Sequence, residues 1–283
     1  MKALLVDEKM KLEEVSKPLK KKGFVIVKVA LAGICRTDVY VGKKEITVET
    51  PRVLGHEFCG YVVENSGKFK IGQLVTINPL FKDLSFLGID HDGCFCEYVQ
   101  IPLEQVFKIK TSNLKLAAYI EPIAASLAPL NAKLPKNKII YVYGSSRIAK
   151  LTQKILSVSG YKTKIINKGM MKDNACEYVV ETEMNEDSIS EIQRILKNNG
   201  TLILKSRYPK KVPVNLYAFV KKDINIKSCY YYDFKKSIDF AIKNEKFFNS
   251  LFGDVYSLEE YQQAFEEDLK ASKKIFLEIK CAE

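Results

Sequence analysis

The chain has 283 residues, of which 47% are apolar and 28% charged. That is enough to fill two cores of ordinary size and too apolar for disorder. The formal charge of +11 does not point to nucleic acid, since only five of the 45 basic residues are arginines. The lysines are interspersed with Glu and Asp, in short clusters such as Lys20-Lys21-Lys22, Lys210-Lys211 and Lys221-Lys222, which is the pattern of a solvated surface. No apolar run suits a signal peptide or a bilayer span, so a cytoplasmic protein without a membrane partner is expected. Seven scattered cysteines, an odd number, read as thiols or metal ligands and not as a disulfide framework.

In chain order, residues 1 to about 110 read as β-rich. Runs of Val, Ile and Tyr at 24–35, 60–67, 73–79 and 96–102 are separated by Gly, Pro, Asn and Asp, the spacing of a small barrel or sandwich. An Ala/Leu-rich stretch at 114–134 predicts a helix. Strand and helix patterns then alternate: strand 139–144, helix 147–160, strands 162–167 and 176–181, helix 188–200, strand 201–206. Such alternation predicts a parallel α/β sheet. Helices near 233–244 and 257–270 and a strand at 274–280 complete the chain.

Two short motifs carry chemistry. GICRTD spans Gly33 to Asp38 and GHEFCG spans Gly55 to Gly60, placing Cys35 and His56 21 residues apart. Either motif alone is weak, because a lone Cys is usually a small core residue and a lone His a satisfied hydrogen-bonding one. Together, each framed by glycine, they are much more specific.

GICRTDVYVG followed by PRVLGHEFCG resembles the zinc-binding stretch of the medium-chain alcohol, sorbitol and threonine dehydrogenases. The resemblance implies an α/β protein with a GroES-like β-barrel catalytic domain at 1–121 and 251–283, and a truncated Rossmann-like domain at 122–250. It implies that Cys35 and His56 are zinc ligands, joined by Glu121 in IEPIAAS or, as in polyol dehydrogenases, by Glu57. Asp38 would orient the His56 ring. Thr37 would pass an alcohol proton outward, with Tyr40 where some relatives continue the relay through a histidine. Arg36 matches a position that contacts a cofactor pyrophosphate in some relatives. A zinc with an open position acidifies a bound alcohol for hydride loss. A zinc-dependent oxidoreductase acting on a small alcohol or carbonyl is therefore expected.

Two departures qualify the resemblance. The four-cysteine lobe of most relatives is missing between Asn78-Pro79 and GCFCEYV, so one catalytic zinc and no structural zinc are expected. Cys94 and Cys96 alternate along a strand and read as core thiols, with His91 and Asp92 as turn residues near the pocket mouth. The second departure lies in the glycine fingerprint, which should read G-x-G-x-x-G. Here it is Gly144-Ser145-Ser146-Arg147-Ile148-Ala149, with the first glycine alone retained. The ribose-binding acid at the end of the second strand is replaced by Asn167, followed by Lys168, which favours NADP slightly over NAD. In the family's C-terminal stretch a basic residue, here Lys274, can reach the pyrophosphate. The strand before residue 233 continues a sheet across a dimer interface in many relatives, so a homodimer is expected. The damaged turn leaves a second expectation open, a redox-inactive relative serving as a binding or scaffold protein.

Overall fold

A computed structural model describes residues 1–64, 67–207 and 211–280. Part of the 60–67 run, Lys210 and Cys281 lie outside the described residues. The chain forms two compact units, Met1–Glu121 with Phe234–Glu283, and Pro122–Asp233. Among the described residues no helix is long and apolar enough to cross a membrane.

The first unit opens with a hairpin, β1 (Lys2–Val6) and β2 (Met10–Glu14), which the apolar patterning did not foretell. Its central strand is β3 (Phe24–Gly33), ten residues of FVIVKVALAG buried along most of their length. The short helix α1 (Arg36–Gly42) follows at once, and β4 (Arg52–Val53) joins β1 and β2 in a three-stranded sheet. Then come β5 (Glu57–Val62), β6 (Leu74–Ile77), β7 (Tyr98–Pro102) and β8 (Val106–Lys108).

The single helix expected at 114–134 is two helices and a 3-10 turn: α2 (Leu114–Ala118), α3 (Ile120–Leu127) and residues Ala128–Ala132. Pro122 and Pro129 explain the breaks. A proline donates no N–H and is tolerated in a first turn, so the helix restarts just ahead of each.

The second unit contains β9 (Ile139–Tyr143), α4 (Arg147–Val158), β10 (Lys162–Ile166), β11 (Cys176–Glu181), α5 (Glu186–Ile195), β12 (Leu196–Leu204), α6 (Leu216–Lys221) and β13 (Asn225–Ser228). Its sheet has the order β10-β9-β11-β12-β13, with every pairing parallel. This is the Rossmann-like half, and between β10 and β11 a turn stands where a helix would be usual. The helix expected over 188–200 ends at Ile195. Leu196 turns extended and pairs with Cys176, so sheet pairing overrides the apolar spacing that reads as helix.

Back in the first unit, α7 (Phe234–Lys243), α8 (Glu245–Phe248), β14 (Phe252–Ser257), α9 (Tyr261–Lys270) and β15 (Lys274–Glu278) complete the fold. The main sheet runs β14-β15-β3-β5-β6-β8, with β7 also on β3. Leu4, Val25, Phe58, Phe95 and Leu277 share one core, so both sheets of this unit bury the same apolar face. Cys94 and Cys96 are buried in that core, as core thiols should be. Burial pushes both thiols well above their ordinary pKa.

Candidate metal centre

Strand register brings the two motifs together. Gly33 at the end of β3 lies opposite Glu57 at the start of β5, and opposite Phe276 of β15 on its other edge. Cys35 therefore leaves β3 beside His56 as it enters β5, and Lys274 comes in from the far side. A side chain at this crossing would push the Lys274–Glu57 pair aside. A Cβ on Gly33 would meet Lys274 Cε at 2.7 Å and Glu57 Oε2 at 2.8 Å.

One sulfur, nitrogen or oxygen atom from each of Cys35, His56 and Glu57 lies within 4.8 Å of the others. His56 and Glu57 are buried and Cys35 half-buried. Asp38 braces this set from α1. Its Oδ2 accepts from Cys35 N at 2.8 Å, and its Oδ1 sits 3.3 Å from His56 Nδ1. That last approach falls short of a hydrogen bond, and both atoms are buried without one. Since Nδ1 faces Asp38, Nε2 is the ring nitrogen left for an ion. A sulfur, a nitrogen and an oxygen with orphaned polar atoms behind them are the donor set a zinc requires.

The charges oppose and support one another. Burial acts to lower the His56 pKa, but the Asp38 carboxylate and Cys35 outweigh it and hold the ring well above its ordinary value. Burial raises Glu57 to about 7, with Lys274 pulling it down and the nearby Glu121 pushing it up. Lys274 Nζ stands 2.5 Å from Glu57 Oε2, and both side chains are almost fully buried. Nothing in the linear sequence marked the pair.

The other residues singled out in the sequence fall as follows. Glu121 is buried at the start of α3, close enough for its charge to act on Glu57 but outside the three-donor group. Thr37 is half-buried on α1, its Oγ1 3.7 Å from Cys35 Sγ. Arg36 is exposed at the start of the same helix, and Tyr40 is half-buried, its carbonyl accepting from Glu45 N and Ile46 N. His91 and Asp92 line a cavity of about 700 Å³ with Leu5, Val53, Leu87 and Cys96, and none of the three donors borders it.

In the second unit, Gly144, Ser145 and Ser146 form the turn from β9 into α4, with Arg147 and Ile148 opening the helix. Ser146 caps α4, its hydroxyl accepting from Ala149 N. A cap of this kind contributes about 1 kcal/mol to a helix. Asn167 and Lys168 follow β10, and the Lys168 ammonium pairs with Asp187 at 3.0 Å in the open. Sequence reasoning missed Glu183, whose carboxylate accepts from Ser145 N at 3.1 Å.

Residues 21–111 match the alcohol dehydrogenase GroES-like domain. The NAD-dependent alcohol dehydrogenase of Sulfurisphaera tokodaii is 24% identical over 259 residues, spanning 78% of this chain and 74% of its own. The crystal structure of 2R,3R-butanediol dehydrogenase from Bacillus subtilis superposes with a TM-score of 0.85 at 21% identity, covering 98% of this chain and 99% of that one. Acetophenone reductase from Geotrichum candidum, solved in complex with NAD, gives 0.85 at 14% identity over 98% and 96% of the two chains. At these identities the two structures speak for the fold alone.

Proposed function

We propose that the chain is a zinc-dependent oxidoreductase of the medium-chain alcohol dehydrogenase type, a reading supported by the match of residues 21–111 to the alcohol dehydrogenase GroES-like domain and by its similarity to an NAD-dependent alcohol dehydrogenase over 78% of its length. In this reading it transfers hydride between an alcohol or carbonyl and NAD(P). The observation that carries this reading is the meeting of Cys35, His56 and Glu57 donor atoms within 4.8 Å. Cys35, His56 and Glu57 are the ligands in this reading, Glu57 preferred to Glu121 because it alone of the two belongs to the donor group. The ion would supply a positive centre that makes an alcohol's hydroxyl proton easier to remove. Asp38 holds the His56 ring with Nε2 facing inward, and Lys274 pairs with the buried Glu57 carboxylate and opposes the rise in its pKa that burial causes. The Thr37 hydroxyl, beside Cys35 Sγ, is the group placed to take that proton and hand it outward.

The test is metal analysis of protein purified without added zinc, with a panel of secondary alcohols and diols assayed against NADP and NAD. Near one zinc per chain and reduction of either nicotinamide are expected. Less than half occupancy, or no turnover of any panel member by zinc-loaded protein, overturns the reading. The NADP preference rests on Asn167-Lys168 and is read from the ratio of kcat/KM for the two cofactors.

A second reading, a relative that binds without turnover, is favoured by Ser146 at the position where a glycine should admit the pyrophosphate. Micromolar binding of NADPH or NADH in a fluorescence titration rules it out, whereas millimolar binding of both supports it. The six free cysteines among the described residues fit a cytoplasmic setting.

The inferred partner is a second copy of the chain. β13 is the edge of its sheet with all four residues exposed, and α6 beside it exposes Leu216 (66%), Tyr217 (71%) and Val220 (72%). An apolar patch beside an open strand edge is a pairing surface. Light scattering is expected to give twice the 32.2 kDa chain mass, and the Tyr217→Asp/Val220→Asp variant the single mass. A monomeric unsubstituted protein sinks this assignment.

A further inference from the structure

The second unit supplies an anion of its own at the turn where a dinucleotide would seat its pyrophosphate. Gly144 leaves β9 at φ +134°, and a side chain there would meet Thr182 Oγ1 at 2.5 Å. Such a bend is open to glycine and strained for other residues. The Ser145 N–H that follows donates to Glu183 Oε2 at 3.1 Å, and the Ser145 hydroxyl lies 3.5 Å from the same oxygen. A little further on, the Ala149 N–H is satisfied by Ser146 Oγ at 3.2 Å. Two of the donors that a phosphate would use at a helix start are thus already satisfied from within the chain.

The surroundings share the sign. The Tyr143 phenol, at the end of β9, is raised first by burial and then by Glu191, Glu183 and Asp187, so three carboxylates face this edge of the sheet. The cations nearby are engaged: Lys168 with Asp187, and Arg194 with Glu191 and Asp173. Of these carboxylates, Glu183 is the one that holds the turn itself. Its side chain is exposed, so it has room to leave.

We propose that Glu183 sets the cofactor affinity of this chain, by occupying the Ser145 N–H in the free protein and yielding it when a dinucleotide phosphate arrives. A carboxylate and a phosphate oxygen cannot share one N–H without repulsion, so every binding event includes displacement of Glu183. The inference rests on the dinucleotide reading above. It makes Glu183 an affinity-determining residue that acts through the turn and takes no part in the hydride step.

Titration calorimetry on the full chain tests it, with NADPH, NADH and ADP as probes of unsubstituted protein and of Glu183→Gln, Glu183→Thr and Asp187→Asn. Asp187 shares the charge but makes no bond to the turn, and because it pairs with Lys168 it serves as the control for general repulsion in the ADP titration alone. Both Glu183 variants are expected to bind NADPH and ADP about tenfold more tightly, and Asp187→Asn to bind ADP less than about threefold more tightly. Unchanged or weaker binding in both Glu183 variants overturns the proposal. So does an equal gain in ADP affinity in Asp187→Asn, and so does failure of every variant to bind ADP. If ADP binding tightens in the Glu183 variants while neither dinucleotide binds any protein, the role of Glu183 stands and the dinucleotide reading falls. Thermal melts of the exposed-site variants are expected to match the parent, which keeps folding out of the comparison.

Discussion

Cys35→Ser is expected to empty the metal centre and to cut alcohol turnover by about a thousandfold. The three donors come from a strand end and a strand start that meet by register, so no other side chain in the group can replace the lost sulfur. A serine hydroxyl at this position is a far weaker ligand than a thiolate for a borderline-soft ion. The charge stabilisation that an ion supplies at a reacting oxygen amounts to several kcal/mol, and each 1.4 kcal/mol is a factor of ten. Elemental analysis should fall from near one zinc per chain to trace, and kcat should fall with it. Glu121→Gln provides the contrast: with Glu57 as third ligand, it should keep its metal. A Cys35→Ser protein that retains both metal and turnover would remove Cys35 from the site. Metal loss in Glu121→Gln would reassign the third ligand.

Lys274→Met is expected to destabilise the metal-free protein by about 3–5 kcal/mol at pH 8, the cost of leaving a buried charge without its partner. Much less is expected at pH 5. Glu57 has its pKa raised from 4.5 to about 7 by burial, so the folded state holds its proton more tightly than the unfolded state. The stability linked to this group is therefore fully present below pH 4.5, and it drains away as pH rises toward 7. Removing the Lys274 charge removes what holds Glu57 down, which extends that loss to higher pH. Urea melts of chelator-treated protein from pH 5 to 8 follow the trend, and Glu57→Gln/Lys274→Met should recover most of the loss. A Lys274→Met protein equally stable at pH 5 and pH 8 would show that the ion pair does not govern Glu57. Zinc loading should flatten the pH dependence, because a ligating carboxylate stays deprotonated.

The proposed metal centre is largely legible in the amino-acid sequence. Cys35, His56, Asp38 and Thr37 sit in two compact motifs whose residue types state their chemistry, and the fold brings all four together. Glu57 and Glu121 could not be separated from the sequence, because both precede or follow apolar residues in buried segments. Strand register separates them: Glu57 faces Gly33 across β3 and β5, while Glu121 stands on a helix outside the donor group. The damaged cofactor turn is legible as missing glycines. What fills the space those glycines would have left open is not.

By itself, then, the sequence marked two of the three candidate donors, Cys35 and His56, the order of a β-rich half and an alternating half, and the loss of two fingerprint glycines. These are local properties, written in residue type and in periodicities of two and 3.6. Tertiary structure decided that Lys274 neutralises Glu57, that Glu183 holds the Ser145 N–H, and that Leu196 begins a strand. Each of these depends on which distant strands lie side by side and in what register. Shifting a strand by one residue would turn every side chain to its other face, and no pattern within a single segment carries that choice.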